Sequence, residues 1–143
     1  MADIRIYLDA NVFIYAIEGA SDIADLVQQL FGLLRRNRGI GVTSELTLAE
    51  ILPKASTIQR NMYLDLIIWS RIFDLHPVSR DVLIETADYR MAAGMPRLPD
   101  AIHVVTAIRT GCRTILSSDS RLKLPEGYAV VTAGLCKYFT SCP

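Results

Sequence analysis

The chain has 143 residues, of which 51% are hydrophobic, and its 15 basic and 15 acidic side chains give a formal charge of zero. This length predicts one domain that spans residues 1–143, and the apolar content excludes an intrinsically disordered chain. The charge balance argues against a protein that holds nucleic acid through a large, uniform positive field.

Short strands alternate with helices along the chain. Alternating or β-branched apolar residues predict the strands, and apolar residues at helical spacing, often after Ser and before Gly, predict the helices. The predicted strands are residues 4–8, 40–43, 72–76, 114–116 and 128–131. The predicted helices are residues 13–17, 21–38, 45–52, 58–71, 79–93 and 98–110. This alternation predicts an α/β fold, in three layers (α/β/α) around a short central parallel sheet.

The cysteine content and the lack of long apolar runs favour a cytoplasmic protein. The three cysteines are an odd number without a Cys-X-X-Cys pair, which argues against a disulfide framework or a zinc site. The first residues do not resemble a signal peptide. No apolar run approaches the roughly 20 residues that a membrane-spanning helix needs. We therefore expect a cytoplasmic location and no membrane association.

Four carboxylates occur where predicted strands end or predicted helices begin. Asp9 follows the first strand directly, and Asp119 follows the strand 114–116 by two serines. Glu50 lies on the helix after the second strand, and Asp100 lies in the first turn of a helix. The carboxyl ends of parallel strands and the starts of the following helices meet at one edge of a sheet. We therefore expect these four side chains to converge.

Each acid also has a purely structural interpretation. Asp9 and Asp100 could act only as helix caps or through the helix dipole, and Asp119 lies in a Ser-Ser-Asp-Ser segment of the kind that forms turns. Glu50 lies on a mostly apolar helix, where a carboxylate needs a partner or a cation. Glu45, at the start of the same helix, competes with Glu50 and ranks second, because a dipole role suffices to explain it.

Converging carboxylates predict a bound cation. Two carboxylates ~5 Å apart at an effective dielectric of ~20 repel by roughly 3 kcal/mol. The segments around the four acids contain no Lys and few Arg, so a cation is the expected counter-charge. Ligands that are all oxygens favour Mg²⁺ or Mn²⁺ over zinc or copper. Such a site is the usual setting for phosphate-ester chemistry.

The segments that carry the acids occur in a recognisable order. They are residues 7–12 (YLDANV), 46–51 (LTLAEI), 98–101 (LPDA) and 115–119 (ILSSD). In this order and spacing they resemble the motifs of PIN-domain ribonucleases, most closely the short VapC-type toxins of type II toxin–antitoxin systems. The resemblance covers nearly the whole chain and implies a PIN-like fold. It also implies a catalytic metal site formed by Asp9, Glu50, Asp100 and Asp119.

The resemblance further implies polar neighbours for this site and a reaction. Asn11 and Ser117 would assist the acids, and the family commonly has Thr where Ser117 stands. After Asp119 the chain has Ser-Arg-Leu, where an aromatic residue is common in the family. The implied function is a Mg²⁺- or Mn²⁺-dependent endoribonuclease that hydrolyses RNA without a protein nucleophile. Arg97 and Arg121 neighbour the acidic motifs and are the predicted contacts to RNA phosphates.

Neither histidine is predicted to be a general acid. His76 ends a strand before Pro77, and His103 follows Asp100 by one turn on a mostly apolar helix. An interior histidine whose ring nitrogens are hydrogen-bonded needs no special function. We therefore predict structural roles for both.

The resemblance also implies partners. Besides an RNA substrate, it implies a homodimer and a cognate antitoxin that lies in an apolar groove. The segment 60–69 (RNMYLDLIIW) is a candidate contact helix for that antitoxin. An ordinary core helix explains the same segment equally well.

Two other functions stay open at this stage. A PIN fold could bind RNA or protein without cutting, in which case no Mn²⁺ affinity that depends on Asp9 and Asp100 is expected. Another Mg²⁺-dependent phosphohydrolase is the less favoured alternative. A haloacid-dehalogenase-like phosphatase requires a second Asp two residues after the first, and this chain has Asn11 there. A receiver domain requires paired acids after the first strand and a Lys near the end, which are also missing at the expected places.

Overall fold

A five-stranded parallel sheet lies at the centre of the molecule. The computed structural model describes residues 4–19, 21–117, 122 and 124–131. The strand order is β3-β2-β1-β4-β5, and all neighbours are parallel. The strands are β1 (Ile6–Leu8), β2 (Gly41–Ser44), β3 (Asp74–His76), β4 (Thr114–Leu116) and β5 (Ala129–Val131). The parallel sheet predicted from the short apolar strands is thereby confirmed.

Helices cover both faces of the sheet, as a three-layer α/β/α fold requires. They are α1 (Ala10–Glu18), α2 (Ser21–Arg36), α3 (Leu46–Ile51), α4 (Thr57–Leu64), α5 (Arg80–Ala92) and α6 (Leu98–Arg109). A 3₁₀ turn (Leu52–Lys54) extends α3, and a π-helical turn (Asp65–Trp69) extends α4. Within the described residues, no helix is long and apolar enough to cross a bilayer.

Two helices differ from the sequence prediction. The sequence predicts that the first helix begins at residue 13. In the structure α1 begins at Ala10, because Asp9 caps it directly after β1. The helix predicted over residues 58–71 is divided into α4 and the π-helical turn.

Alternation along β1 separates two apolar clusters. Ile6 and Leu8 face one side, where they join a cluster with Phe13 of α1 and Phe31 of α2. Tyr7 faces the other side, in a second cluster that includes Ala107 of α6. Successive side chains of a strand point to opposite faces of the sheet. Both faces of β1 are therefore buried, and its carboxyl end is held in the middle of the sheet.

Buried hydroxyl groups tie the carboxyl edge of the sheet together. The Oγ1 atom of Thr43 on β2 donates to the Leu8 carbonyl at 2.8 Å. The Thr47 Oγ1 atom lies 2.8 Å from Thr43 Oγ1 and donates to it, since Thr43 has only one hydroxyl hydrogen. Ser44 Oγ accepts a hydrogen bond from Leu46 N at 3.0 Å. These bonds fix the start of α3 beside the end of β1.

The substitution Thr43→Val tests this link. It keeps the shape of the side chain but removes the bond to Leu8 and the acceptor of Thr47, so we expect the free energy of unfolding to fall by about 1–3 kcal/mol. Urea denaturation measures the change. Thr57→Val, at an exposed position on α4, is the control and should change stability by no more than about 0.5 kcal/mol. Equal effects of the two substitutions would contradict the assignment.

Candidate metal centre

Asp9 lies at the carboxyl end of β1, and both of its carboxylate oxygens have partners. Its Oδ1 atom accepts a hydrogen bond from Ala10 N at 2.6 Å. Its Oδ2 atom accepts one at 2.7 Å from the hydroxyl of Ser117, which is buried directly after β4. Asp9 therefore does cap α1, as its structural interpretation held. The two bonds also fix the orientation of its carboxylate.

Glu50 reaches the same place from α3. Its Oε1 atom lies 2.5 Å from Nε2 of His103 on α6. That nitrogen is 3.6 Å from Oδ1 of Asp9. One oxygen of Asp9, one oxygen of Glu50 and one ring nitrogen of His103 all lie within 4.8 Å of one another. Three separate elements thus bring three potential ligands together at the edge of the sheet.

His103 is bonded at both ring nitrogens. Its Nδ1 atom lies 2.5 Å from the hydroxyl oxygen of Tyr7 on β1, and both side chains are buried. A buried, fully bonded ring agrees with the structural role that the sequence predicted. The sequence pattern alone does not, however, place this ring among the acids. The available signal was its spacing of three residues from Asp100, which puts both on one face of α6.

The pKa of Tyr7 is raised well above its ordinary value. Burial is the largest cause, followed by the negative charge of Asp9, while a backbone hydrogen bond at Ser44 opposes the shift. The charge of Glu50 adds to the increase. The phenol is therefore protonated at neutral pH and can donate a hydrogen bond.

The other predicted site residues lie at the starts of two helices or outside the described residues. Asp100 is half-buried in the first turn of α6, where its charge adds to burial in raising the pKa of Tyr89. Asn11 is half-buried in the first turn of α1. Arg97 is exposed immediately before α6. The predictions for Asp119 and Arg121 fall outside the described residues.

The two acids that competed on α3 are separated by the fold. Glu50 groups with Asp9, and its side chain is 30% exposed. Glu45 is exposed at the start of α3 and makes no side-chain capping bond there. Geometry therefore favours Glu50 as the acid that belongs with Asp9.

The cluster has few nearby positive charges. Among the described residues, His103 is the sole basic side chain within 4.0 Å of the Asp9 or Glu50 carboxylates. Arg5 and Arg109 pair with acids elsewhere. Two carboxylates less than 5 Å apart repel by roughly 3 kcal/mol at an effective dielectric of ~20. Carboxylate oxygens with few basic partners among the described residues fit a hard divalent cation.

Comparison with solved structures shows which known proteins share this fold. Similar folds occur in VapBC2 from Rickettsia felis bound to a DNA fragment from their promoter (TM-score 0.68, 18% identity, 90% of this chain and 98% of that chain). They also occur in a toxin–antitoxin complex from Klebsiella pneumoniae (0.65, 20%, 89% and 96%) and in DNA-bound VapBC from Salmonella typhimurium (0.64, 17%, 90% and 98%). Comparison with curated proteins gave no match.

The sequence itself carries the family assignment. A sequence model of the PIN domain matches residues 6–127, which are most of the chain and include every described residue of the acidic cluster. This match confirms the resemblance that the four ordered motifs indicated. The chain belongs to the PIN domain family.

Proposed function

We propose that the protein is a metal-dependent endoribonuclease and the toxin of a toxin–antitoxin pair. The observation that carries the proposal is the pair of carboxylates, Asp9 and Glu50, held within 4.8 Å of each other at the carboxyl edge of a parallel sheet. Ligands bind in this region of open α/β sheets. Membership of the PIN family supports nuclease chemistry in particular.

Four carboxylates would hold Mg²⁺ or Mn²⁺. Asp9 and Glu50 are already adjacent, and Asp100 lies one turn before His103 on α6. Asp119 is the fourth proposed ligand, because it follows Ser117 closely in the sequence and Ser117 contacts Asp9. A bound divalent cation supplies charge stabilisation at the phosphate and lowers the pKa of a water molecule.

Neighbouring groups orient the Asp9 carboxylate and limit which group can attack the phosphate. Ser117 and the Ala10 N–H hold the Asp9 carboxylate in one orientation. The Ser117 hydroxyl donates its hydrogen to Asp9 and is buried, so it is not available as a nucleophile. We therefore assign the attack on the phosphodiester bond to water. Asn11 is proposed as a second polar neighbour of the acids.

RNA phosphates are proposed to contact Arg97 and Arg121. Arg97 is exposed and precedes Asp100 by three residues. Arginine presents a planar set of donors that suits phosphate oxygens. Both residues therefore supply local positive charge to a chain whose formal charge is zero.

An antitoxin and a second copy of the chain are the proposed protein partners in the cytoplasm. The similar solved structures include complexes with antitoxins. In the candidate contact segment 60–69, Met62 and Trp69 are exposed, whereas Tyr63 and Ile67 are buried. The segment therefore contributes to the core and also leaves apolar surface for a partner.

RNA cleavage in the presence and absence of metal tests the proposed activity. We expect the purified protein to cut total RNA with Mn²⁺ or Mg²⁺, and EDTA to stop the reaction. Asp100→Asn removes a proposed ligand charge and should lower cleavage by about 100-fold or more, as losses in metal sites do. Cleavage that persists in EDTA would contradict the proposal. A protein that neither cuts RNA nor binds Mn²⁺ would favour the non-catalytic binding module.

Two acids on α3 provide a matched pair for metal binding. Glu50→Gln removes a carboxylate beside Asp9, so we expect Mn²⁺ affinity measured by calorimetry to fall by about 10–100-fold. Glu45→Gln makes the same chemical change at the exposed start of the helix and should leave the affinity unchanged within about twofold. If Glu45→Gln caused the larger loss, the ligand on α3 would be misassigned.

Charge reversal at Arg97 tests the RNA contact. Binding of bulk tRNA in EDTA, where no cleavage is expected, should weaken in Arg97→Glu. The dependence of log affinity on log salt should become shallower by about one charge. Arg36→Glu, which makes the same change at an exposed position on the last turn of α2, is the control. Equal losses in the two variants would remove Arg97 from the interface.

A further inference from the structure

A series of hydrogen bonds links two buried side chains to the acidic cluster. It connects Tyr7 on β1, His103 on α6 and Glu50 on α3 through two contacts of 2.5 Å. Tyr7 is completely buried and His103 is 2% exposed. Tyr7 and His103 are not among the proposed metal ligands, so this series of hydrogen bonds needs its own explanation.

One tautomer of His103 matches the donors and acceptors of both bonds. An ionised carboxylate can only accept, so the hydrogen between His103 and Glu50 belongs to Nε2. In a neutral imidazole with this hydrogen, Nδ1 carries a lone pair and accepts. The phenol of Tyr7 therefore donates to Nδ1. The donors and acceptors of these three side chains are then matched without a second hydrogen on the ring.

In this arrangement neither ring nitrogen of His103 has a lone pair that is free to bind a metal. A histidine binds a metal through a ring nitrogen that carries no hydrogen. Here Nδ1 is occupied by Tyr7, and Nε2 uses its hydrogen on Glu50. The short distance between His103 and Glu50 thus arises from a hydrogen bond, while Asp9 lies 3.6 Å from the same ring nitrogen.

Glu50 depends on this bond for its position. Within the described residues, the Glu50 side chain makes one hydrogen bond, and its partner is His103. A partly exposed Glu side chain without a partner samples several rotamers, and fixing it in one of them costs side-chain entropy. The buried ring offsets this cost by offering a donor at a fixed place beside Asp9.

We propose that His103 is a positioning residue that holds the Glu50 carboxylate ready for a divalent cation, and that Tyr7 sets the ring tautomer this requires. The proposal rests on the metal-dependent function proposed above. Hydrogen bonds to metal-ligating groups commonly change metal affinity by 10–100-fold when they are lost. Tyr7 would therefore influence metal binding without contacting the ion.

Amide substitutions at His103 separate its two ring nitrogens. In His103→Gln the amide nitrogen reaches the place of Nε2 and can donate to Glu50, so we expect Mn²⁺ affinity within about fivefold of the wild type. In His103→Asn the shorter amide reaches the place of Nδ1 and leaves Glu50 without a donor. This variant, and Tyr7→Phe, should bind Mn²⁺ about 10–100-fold more weakly. Calorimetry measures the affinity, and denaturation in EDTA measures the stability of each variant.

The outcomes distinguish this inference from the function on which it rests. A wild-type protein that binds no Mn²⁺ would overturn the proposed metal site. A wild type that binds Mn²⁺, with folded Asn and Phe variants of unchanged affinity, would overturn the positioning role alone. Rescue by Gln but not by Asn supports it, because a general loss of packing would affect both amides.

Nitrogen NMR tests the tautomer without any substitution at His103. The chain has two histidines, so a His76→Gln background leaves the imidazole signals of His103 alone. We expect a hydrogen on Nε2 and none on Nδ1, both before and after saturation with diamagnetic Mg²⁺. A hydrogen on Nδ1 in the metal-free protein, or loss of the Nε2 hydrogen on adding Mg²⁺, would overturn the proposal and favour direct coordination.

Discussion

Two carboxylates held less than 5 Å apart repel each other, and the surrounding structure has to keep them in place. Neutral donors hold the Asp9 carboxylate, where the Ala10 backbone N–H and the Ser117 hydroxyl each donate to one oxygen. The ring of His103 holds the Glu50 carboxylate. None of the three donors at Asp9 and Glu50 is a lysine or an arginine. The cation proposed for this cluster would relieve the repulsion and find ligands already in place.

The strand order explains why these groups meet. From β1, the chain adds β2 and β3 on one side and β4 and β5 on the other, so the connections diverge between β1 and β4. A crevice that binds ligands forms at such a point in a parallel sheet. Asp9 follows β1 and Ser117 follows β4, which places their hydrogen bond there. Thr43 fastens β2 to the same edge and so holds α3, with Glu50, near Asp9.

Local sequence patterns predict the structural features that depend on residues close together in the sequence. The five strands follow from short apolar runs, and the proximity of Asp9 and Glu50 follows from their places after two parallel strands. The bond between Tyr7 and His103 joins residues 96 positions apart, and no local pattern indicates it. The apolar helix predicted that His103 is buried, but not which groups it contacts. Similarly, the π-helical turn after α4 departs from the uninterrupted helix that local spacing predicted.

A crystal structure of the protein grown with Mn²⁺ tests the central claim most directly. Anomalous scattering at the manganese edge locates the ion independently of any assumption about its ligands. We predict an ion bound by carboxylate oxygens of Asp9 and Glu50, with His103 still hydrogen-bonded to Glu50 and outside the coordination sphere. Manganese bound elsewhere, bound through the His103 ring, or absent from this edge of the sheet at saturating concentration would contradict it.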